Sequence, residues 1–214
     1  MRFVTRGWTI LLLSAWWLSA VGLATAGEPT DMVRQTTDQV LKNLEDPKLQ
    51  GADKQAERQE RLRQISNQAF DWKEMAQRAL ATHWRERTPQ QQQEFTALFR
   101  DLVERTYINR LETATQDKQD IQYVGEQIDG PRAVVKTNVV TKRNQPVPLE
   151  YRLHKADGRW LIYDVLIEGI SLVNNYRSQF NRIISSSSYN DLVQKMKTRQ
   201  GGDELSGSPE RKVQ

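Results

Sequence analysis

The chain contains no cysteine and only two histidines among its 214 residues. The absence of cysteine excludes disulfide bonds, thiolate metal sites and cysteine nucleophiles. It also fits an oxidising compartment, where a free thiol is a liability. Glycine-rich phosphate loops, G-x-S-x-G and H-E-x-x-H motifs and calcium-binding loops are missing as well. His83 and His154 have no converging partners in the sequence, so we expect no metal, no cofactor and no catalytic histidine.

The chain also has little excess charge of either sign. It carries 31 basic and 27 acidic residues, a formal net charge of +4. The basic count falls to 29 if Arg2 and Arg6 are lost with a cleaved N-terminal segment, against the same 27 acidic residues. Nucleic-acid binding needs basic residues gathered on one face, and this weak bias argues against it.

Residues 1–26 have the layout of a secretory signal peptide. Arg2 and Arg6 precede an apolar run over residues 8–23, and Ala24-Thr25-Ala26 supplies the small-x-small pattern that signal peptidase cuts. The alternative is an uncleaved anchor, but this run is shorter than the about 20 residues that span a bilayer. We therefore expect cleavage after Ala26, with Gly27 as the new N-terminus, and export across the inner membrane of a bacterium.

The first half of the mature chain has helical periodicity. Helices are predicted over residues 30–45, 51–64, 70–84 and 89–112. The last of these has the strongest apolar stripe, and Thr88-Pro89 begins it with a capping residue and a proline at the first helical position. The stripe consists of Phe95, Leu98, Phe99, Leu102, Val103 and Thr106.

The second half changes to a period of two, which is typical of strands. Strands are predicted over residues 121–124, 132–142, 149–155 and 159–167. We interpret Ala156-Asp157-Gly158 as a three-residue hairpin loop. This loop places Leu153 opposite Leu161, Tyr151 opposite Tyr163 and Leu149 opposite Val165, which makes one continuous apolar surface. A two-residue Asp157-Gly158 loop would interrupt that surface with Asp164.

The end of the chain returns to helix. Ser171 is suited to cap one helix, and a short final helix follows over residues 189–199. The sequence therefore predicts an α+β fold. Its parts are a signal peptide, 1–26; one α+β domain, 27–199, made of a helical part, 27–86, and a helix, sheet and C-terminal helices, 87–199; and a disordered tail, 200–214.

Several stretches together resemble the MlaC-type phospholipid-binding proteins, also called the toluene-tolerance family. The most specific stretch is residues 160–173, WLIYDVLIEGISLV, followed by residues 175–180, NYRSQF. It follows the family's order of a tryptophan strand, Tyr-Asp, Glu-Gly-x-Ser and a Tyr-Arg-x-x-Phe helix. Ala81 stands where the family often has glycine.

This resemblance implies an NTF2-like twisted antiparallel sheet that is wrapped by helices and holds acyl chains in a pocket. It also implies a periplasmic protein that ferries phospholipids between an outer-membrane lipoprotein complex and an inner-membrane ABC transporter complex. Such transport maintains the lipid asymmetry of the outer membrane. A branch of the family accompanies hopanoid synthesis, so a hopanoid is an alternative cargo.

The alternating strands and the helical stripe predict the lining of such a pocket. Leu161, Tyr163 and Val165 lie in the family stretch, and the other predicted residues follow from periodicity. The same residues are also compatible with a solid core. The predicted lining is Phe99, Leu102, Val103, Val135, Val139, Tyr151, Leu153, Leu161, Tyr163 and Val165.

Asp164 is the one acidic residue within an apolar strand. A buried carboxyl could serve as a tuned general base, which leaves a small NTF2-like enzyme as one alternative function. We favour a structural role for Asp164 and a non-enzymatic protein, because the sequence shows no converging catalytic partner. A periplasmic adaptor that binds only proteins is the other alternative.

Overall fold

The computed structural model describes residues 27–114, 120–140 and 146–198. The predicted signal peptide and the predicted disordered tail lie outside the described residues, as do the last two residues of the strand predicted over 132–142. Where the chain is described, it contains six α-helices and five β-strands in the order of an α+β protein.

The first four helices precede the strands. They are α1 (Glu28–Glu45), α2 (Gln55–Ala69), α3 (Trp72–Leu80) and α4 (Pro89–Ala114), and a 3-10 turn (Ala81–Glu86) joins the last two. The strands are β1 (Asp120–Asp129), β2 (Arg132–Val140), β3 (Pro146–Ala156), β4 (Arg159–Ile167) and β5 (Ile170–Ser171), and the chain continues into α5 (Leu172–Ser186) and α6 (Tyr189–Lys197).

The predicted helix start at Thr88 is confirmed. The backbone N–H of Gln91 donates to the Thr88 hydroxyl at 3.2 Å, and the backbone N–H of Thr88 donates to the Gln91 side-chain oxygen at 3.0 Å. These two bonds satisfy N–H groups that a helix terminus otherwise leaves unpaired. The predicted cap of α5 is confirmed too, because the Ser171 hydroxyl accepts from the backbone N–H of Asn174 at 3.0 Å.

The five strands form one antiparallel sheet in the order β1-β2-β3-β4-β5, so the predicted fold class is confirmed. Strand β1 is longer than the predicted strand over residues 121–124. Its pairing with β2 shifts register between Tyr123 and Gly125, which makes a β-bulge at Val124. After a bulge, the side chains that face one side of the sheet shift by one position along the sequence. The simple alternation of residues therefore stops at the bulge, and the predicted strand ends there.

The predicted register of the β3–β4 hairpin is wrong. The loop has two residues, Asp157 and Gly158, whose φ angles of 49° and 78° match a type I′ turn. Asp164 nevertheless does not interrupt the apolar surface, because it pairs with Arg152. Pairing shifts between Leu153 and Arg152, so that Tyr163 is an extra residue and Tyr151 pairs with Val165. The bulge adds one residue to β4. Val165 and Ile167 therefore still face the same side as Tyr151 and Leu149, although the loop is one residue shorter than predicted.

Two large hydrophobic cores and a smaller cluster of Leu44, Leu62 and Ile108, which joins α1, α2 and α4, hold the described elements together. The helix core joins α3, α4, α5 and α6; its largest fully buried side chains are Phe95, Phe99, Tyr176 and Phe180. The sheet core packs α1 and the end of α2 on one face of the sheet; it consists of Val33, Ala69, Ala133, Val135, Leu153, Trp160 and Ile162. The apolar stripe of α4, which is predicted to line a pocket together with the strands, fills the helix core and does not pack on the sheet core.

Ala81 joins α3 to the 3-10 turn in a conformation that L-residues rarely adopt, with φ 52° and ψ −123°. Such strain costs on the order of 1–3 kcal/mol. Ala81→Gly should therefore raise the free energy of unfolding by about 1 kcal/mol in urea titrations. The control is Ala97→Gly at an exposed site within α4, which should lower it by about 1 kcal/mol. A loss of stability in both variants would show that Ala81 carries no strain.

Candidate functional site

One face of the sheet continues beyond the sheet core as an apolar surface. The pairing of the strands aligns its side chains in two rows, because partners directly opposite each other point to the same face. We call this surface the distal sheet face. It consists of Ile121, Val139 and Val147 in the outer row and of Leu149, Ile167 and Ile170 in the next row.

All six side chains of the distal sheet face are half-buried, and none belongs to a packed core. On the same face, Ala133 is 3% exposed, and Val135 and Leu153 are completely buried. The face therefore changes along the strands from a closed core to an apolar surface that is only partly covered. A contiguous apolar surface of this kind is typical of a ligand-binding or interaction site.

Polar side chains mark the boundary between the sheet core and the distal sheet face. The hydroxyls of Tyr123 and Thr37 are hydrogen-bonded at 2.6 Å, and the Arg34 guanidinium lies 4.0 Å from the centre of the Tyr123 ring. Burial raises the pKa of Tyr151 to about 12, an effect that the neighbouring Thr137 hydroxyl offsets only in part. Tyr151 is therefore neutral at physiological pH, and its hydroxyl presents a hydrogen-bonding group without charge.

The structure does not bring all ten predicted lining residues together. Phe99, Leu102, Val103 and Tyr163 lie in or against the helix core. Val135, Leu153, Tyr151 and Val165 lie in or against the sheet core. Val139 belongs to the distal sheet face, and Leu161 lines a separate groove beside Trp160. Whether any of the ten contacts a lipid stays a prediction.

Tyr163 faces away from Leu153 because of the bulge. Its ring packs edge-on against His154 with 5.7 Å between the ring centres, and Arg78 stacks over it at 4.2 Å. Five of the six residues of the distal sheet face are absent from the predicted lining. Leu149 is predicted to lie on the apolar surface of the strands, whereas four are not assigned to it: Ile121, Val147, Ile167 and Ile170. Three of these four lie at the ends of strands, where too few alternating residues remain to reveal a face. The fourth, Ile170, is in a two-residue strand that no pattern could reveal.

Asp164 is 3% exposed, and both of its oxygens are held by neighbouring groups. Oδ1 accepts from the backbone N–H of Val173 at 3.0 Å, and Oδ2 accepts from the Ser171 hydroxyl at 2.6 Å. The Arg152 guanidinium lies 3.5 Å from Oδ2. Asp164 thus fastens the start of α5 to the sheet, which is the geometry of a structural carboxylate.

The Glu-Gly-x-Ser stretch has a physical explanation in this geometry. Glu168 and Gly169 have φ angles of 51° and 81°, and they connect the paired residues Ile167 and Ile170 as a tight turn. The turn brings Ser171 back beside Asp164, where it caps α5. The stretch therefore joins the sheet to the helix core.

Each of the two histidines has one side-chain hydrogen-bond partner. His154 Nε2 lies 3.0 Å from Asp71 Oδ2, and His83 Nε2 lies 3.0 Å from Asn181 Oδ1. In residues 27–114, 120–140 and 146–198 no three His, Cys, Asp or Glu side chains are grouped to hold a metal ion. Within the same ranges, none of the helices has both the length and the apolar character needed to cross a bilayer.

The fold and this site define an α+β protein whose five-stranded antiparallel sheet carries an apolar face outside its packed cores. The sequence model of the MlaC protein family matches residues 34–198, and the chain belongs to this family. The resemblance that residues 160–180 indicated is therefore confirmed.

Relatives and a solved structure of similar fold support this assignment. The chain is 27% identical over 182 residues to the toluene tolerance protein ttg2D of Pseudomonas putida, with coverage of 84% of this chain and 82% of the relative. It is 21% identical over 122 residues to the intermembrane phospholipid transport system binding protein MlaC of Haemophilus influenzae, with coverage of 56% and 57%. A phospholipid-binding protein from Ralstonia solanacearum, solved in complex with a phospholipid, superposes with a TM-score of 0.73 at 28% identity, covering 84% of this chain and 99% of that one.

Proposed function

We propose that the chain is a periplasmic carrier that binds a phospholipid by its acyl chains against the distal sheet face. It ferries the lipid between an outer-membrane lipoprotein complex and an inner-membrane ABC transporter complex, and so maintains the lipid asymmetry of the outer membrane. The observation that carries the proposal is the distal sheet face in a member of the MlaC family. The phospholipid in the similar Ralstonia structure supports the class of ligand.

The energetics of lipid transfer favour an apolar site of this kind. Two acyl chains hold on the order of 30 methylenes, each worth ~0.8 kcal/mol in transfer from water, so escape into water costs roughly 24 kcal/mol. Leaving a quarter of the chains wet would still cost ~6 kcal/mol, about four orders of magnitude in the equilibrium constant. A carrier therefore has to place acyl chains against apolar side chains such as Val139, Leu149 and Ile167.

The contacts of Asp164 favour a binding protein over an enzyme. A general base must lie within hydrogen-bond reach of the proton that it takes from a substrate, and Asp164 is only 3% exposed. Both oxygens of Asp164 instead accept hydrogen bonds from Ser171 and Val173, and Arg152 lies beside Oδ2. An enzyme that uses Asp164 as its general base therefore has less support than a lipid-binding protein.

Lipid extraction tests the proposed function. The protein is purified from the periplasmic fraction without detergent, denatured and extracted with solvent, and the extract is analysed by mass spectrometry. We expect phospholipid at close to one molecule per chain. Hopanoid in place of phospholipid would change the cargo, whereas an empty protein that also takes up no lipid from vesicles would contradict the carrier function and favour the adaptor.

Export has its own test. We expect the protein from the periplasmic fraction to have an intact mass that corresponds to residues 27–214, because Ala24 and Ala26 provide the small side chains that signal peptidase requires. The control is Ala26→Arg, which should retain residues 1–26 and remain attached to the membrane. A wild-type mass that includes Met1 would refute cleavage after Ala26.

A further inference from the structure

A second surface lies on the other side of the sheet, away from the distal sheet face. It is a groove with a volume of about 620 Å³ between α3, the 3-10 turn, the start of α5 and strands β3 and β4. Arg152 and Asp164, which pair across β3 and β4, contribute to its floor. Their strand neighbours Tyr151 and Val165 point to the opposite face, so the groove is separate from the proposed acyl-chain site.

The charged side chains in this groove are mainly arginines. Arg78, Arg85, Arg152 and Arg177 line it together with only two acidic residues, Glu74 and Asp164. Both acids are already paired: Glu74 with Arg78 at 2.6 Å, and Asp164 with Arg152 at 3.5 Å.

Arg85 and Arg177 are the two arginines of the groove that remain available. Both side chains are exposed, and among the described residues neither guanidinium has an ion-pair or hydrogen-bond partner. A second groove of about 410 Å³ continues from Arg177 along α5 and contains no acidic residue. The two grooves share Ala81, Thr82, Asn174 and Arg177, so they form one surface that we call the arginine groove.

We propose that the arginine groove binds an acidic, extended segment of a partner protein. Guanidinium groups match carboxylates in a planar, two-bond geometry, which explains why two unpaired arginines in one groove select anionic groups. The remaining lining supplies donors and acceptors for a peptide backbone through Gln77, Thr82, Asn174, Ser178 and Asn181.

The shape of the groove favours a peptide over a membrane surface. A bilayer presents broad, nearly flat headgroups, whereas these arginines line a concavity between α5 and the 3-10 turn, which a single chain segment fits. The proposal rests on the proposed function only in that a lipid carrier must dock on protein partners. Its site does not overlap the distal sheet face, so the lipid content of a variant separates the two.

The test uses the double variant Arg85→Glu/Arg177→Glu and a fluorescein-labelled hexaglutamate peptide as the probe. Binding is measured by fluorescence anisotropy with the full mature protein at low salt. We expect the variant to bind the peptide about tenfold more weakly than wild type, which is the size of effect that two exposed ion pairs carry. Wild-type binding should also weaken with added NaCl, since exposed charges are screened.

The matched control is Lys73→Glu/Arg182→Glu. Lys73 on α3 and Arg182 on α5 are exposed, make no ion pair among the described residues and lie outside the arginine groove. This pair makes the same change in net charge, and it should leave peptide affinity within about twofold of wild type. An equal loss in both double variants would show attraction to overall charge and overturn the proposal.

Three further measurements distinguish an acidic peptide from phosphate groups and from lipid as the ligand of the arginine groove. Absence of hexaglutamate binding to the wild type at millimolar concentration overturns the proposal. Binding of phosphatidylglycerol vesicles or of inorganic phosphate that depends on Arg85 and Arg177, without peptide binding, assigns the groove to phosphate groups instead. Loss of co-purified lipid from Arg85→Glu/Arg177→Glu, with folding intact by circular dichroism, would make the groove part of the lipid site and overturn its independence. Unchanged lipid content with weakened peptide binding supports the proposal.

Discussion

Val139→Arg should leave the protein folded but almost without lipid. Val139 is half-buried in the outer row of the distal sheet face and belongs to no packed core, so a long side chain there can extend its charge towards water. An acyl chain on that surface would meet a guanidinium in place of a methyl group, and a charge without a partner is costly in an apolar site. We expect co-purified lipid to fall to about a tenth or less of the wild-type amount, with an unchanged circular dichroism spectrum.

Two arginine substitutions on the same sheet serve as controls for Val139→Arg. Leu153→Arg introduces the charge into the completely buried sheet core, where the protein should fail to fold. Val124→Arg introduces it at a side chain that is 56% exposed, where both folding and lipid content should match wild type. If Val139→Arg folds and keeps its lipid, the distal sheet face is not the acyl-chain site.

Asp164→Ala should lower the free energy of unfolding by about 3 kcal/mol, because it removes a buried carboxylate and leaves its donors without a partner. Those donors are the Ser171 hydroxyl and the Val173 backbone N–H at the start of α5. Asp164→Asn should lose less, since its amide oxygen can still accept from Val173. Urea titrations followed by circular dichroism measure both changes.

Asp129→Ala is the matched control, because Asp129 is an exposed acid at the end of β1, and its removal should change stability by less than about 0.5 kcal/mol. A variant of Asp164 that retains wild-type stability would contradict the structural role. So would an enzymatic reaction that Asp164→Asn abolishes while fold and lipid content stay unchanged.

Local chemistry made the helix boundaries predictable from the sequence. Thr88, Pro89 and Gln91 specify the start of α4 through bonds between residues three positions apart, and Ser171 does the same for α5. Such interactions depend on neighbours along the chain, so a single sequence contains all the information that they require.

The candidate site could be predicted only in part, because it depends on contacts between distant elements. The bulge at Tyr163 reverses which side chains of β4 share a face with Leu153, and nothing in the alternation of residues 159–167 indicates it. Likewise, the stripe with Phe99 and Leu102 is equally suited to pack on a sheet or on helices. Its position in the helix core is decided by α3, α5 and α6, which supply apolar side chains of matching shape.

The bulge at Val124 also bears on how the protein avoids self-association. Among the described strands, β1 pairs only with β2, so its other side carries unpaired backbone groups that another chain could extend into a larger sheet. The side chains of Val124 and Ile128 in this strand are 56% and 50% exposed, which would favour the pairing of another strand with β1. The bulge twists the strand locally, and the charges of Asp120 and Asp129 at its two ends disfavour a neighbouring strand. The irregular edge of β1 therefore favours a separate molecule over a sheet that is extended by other chains.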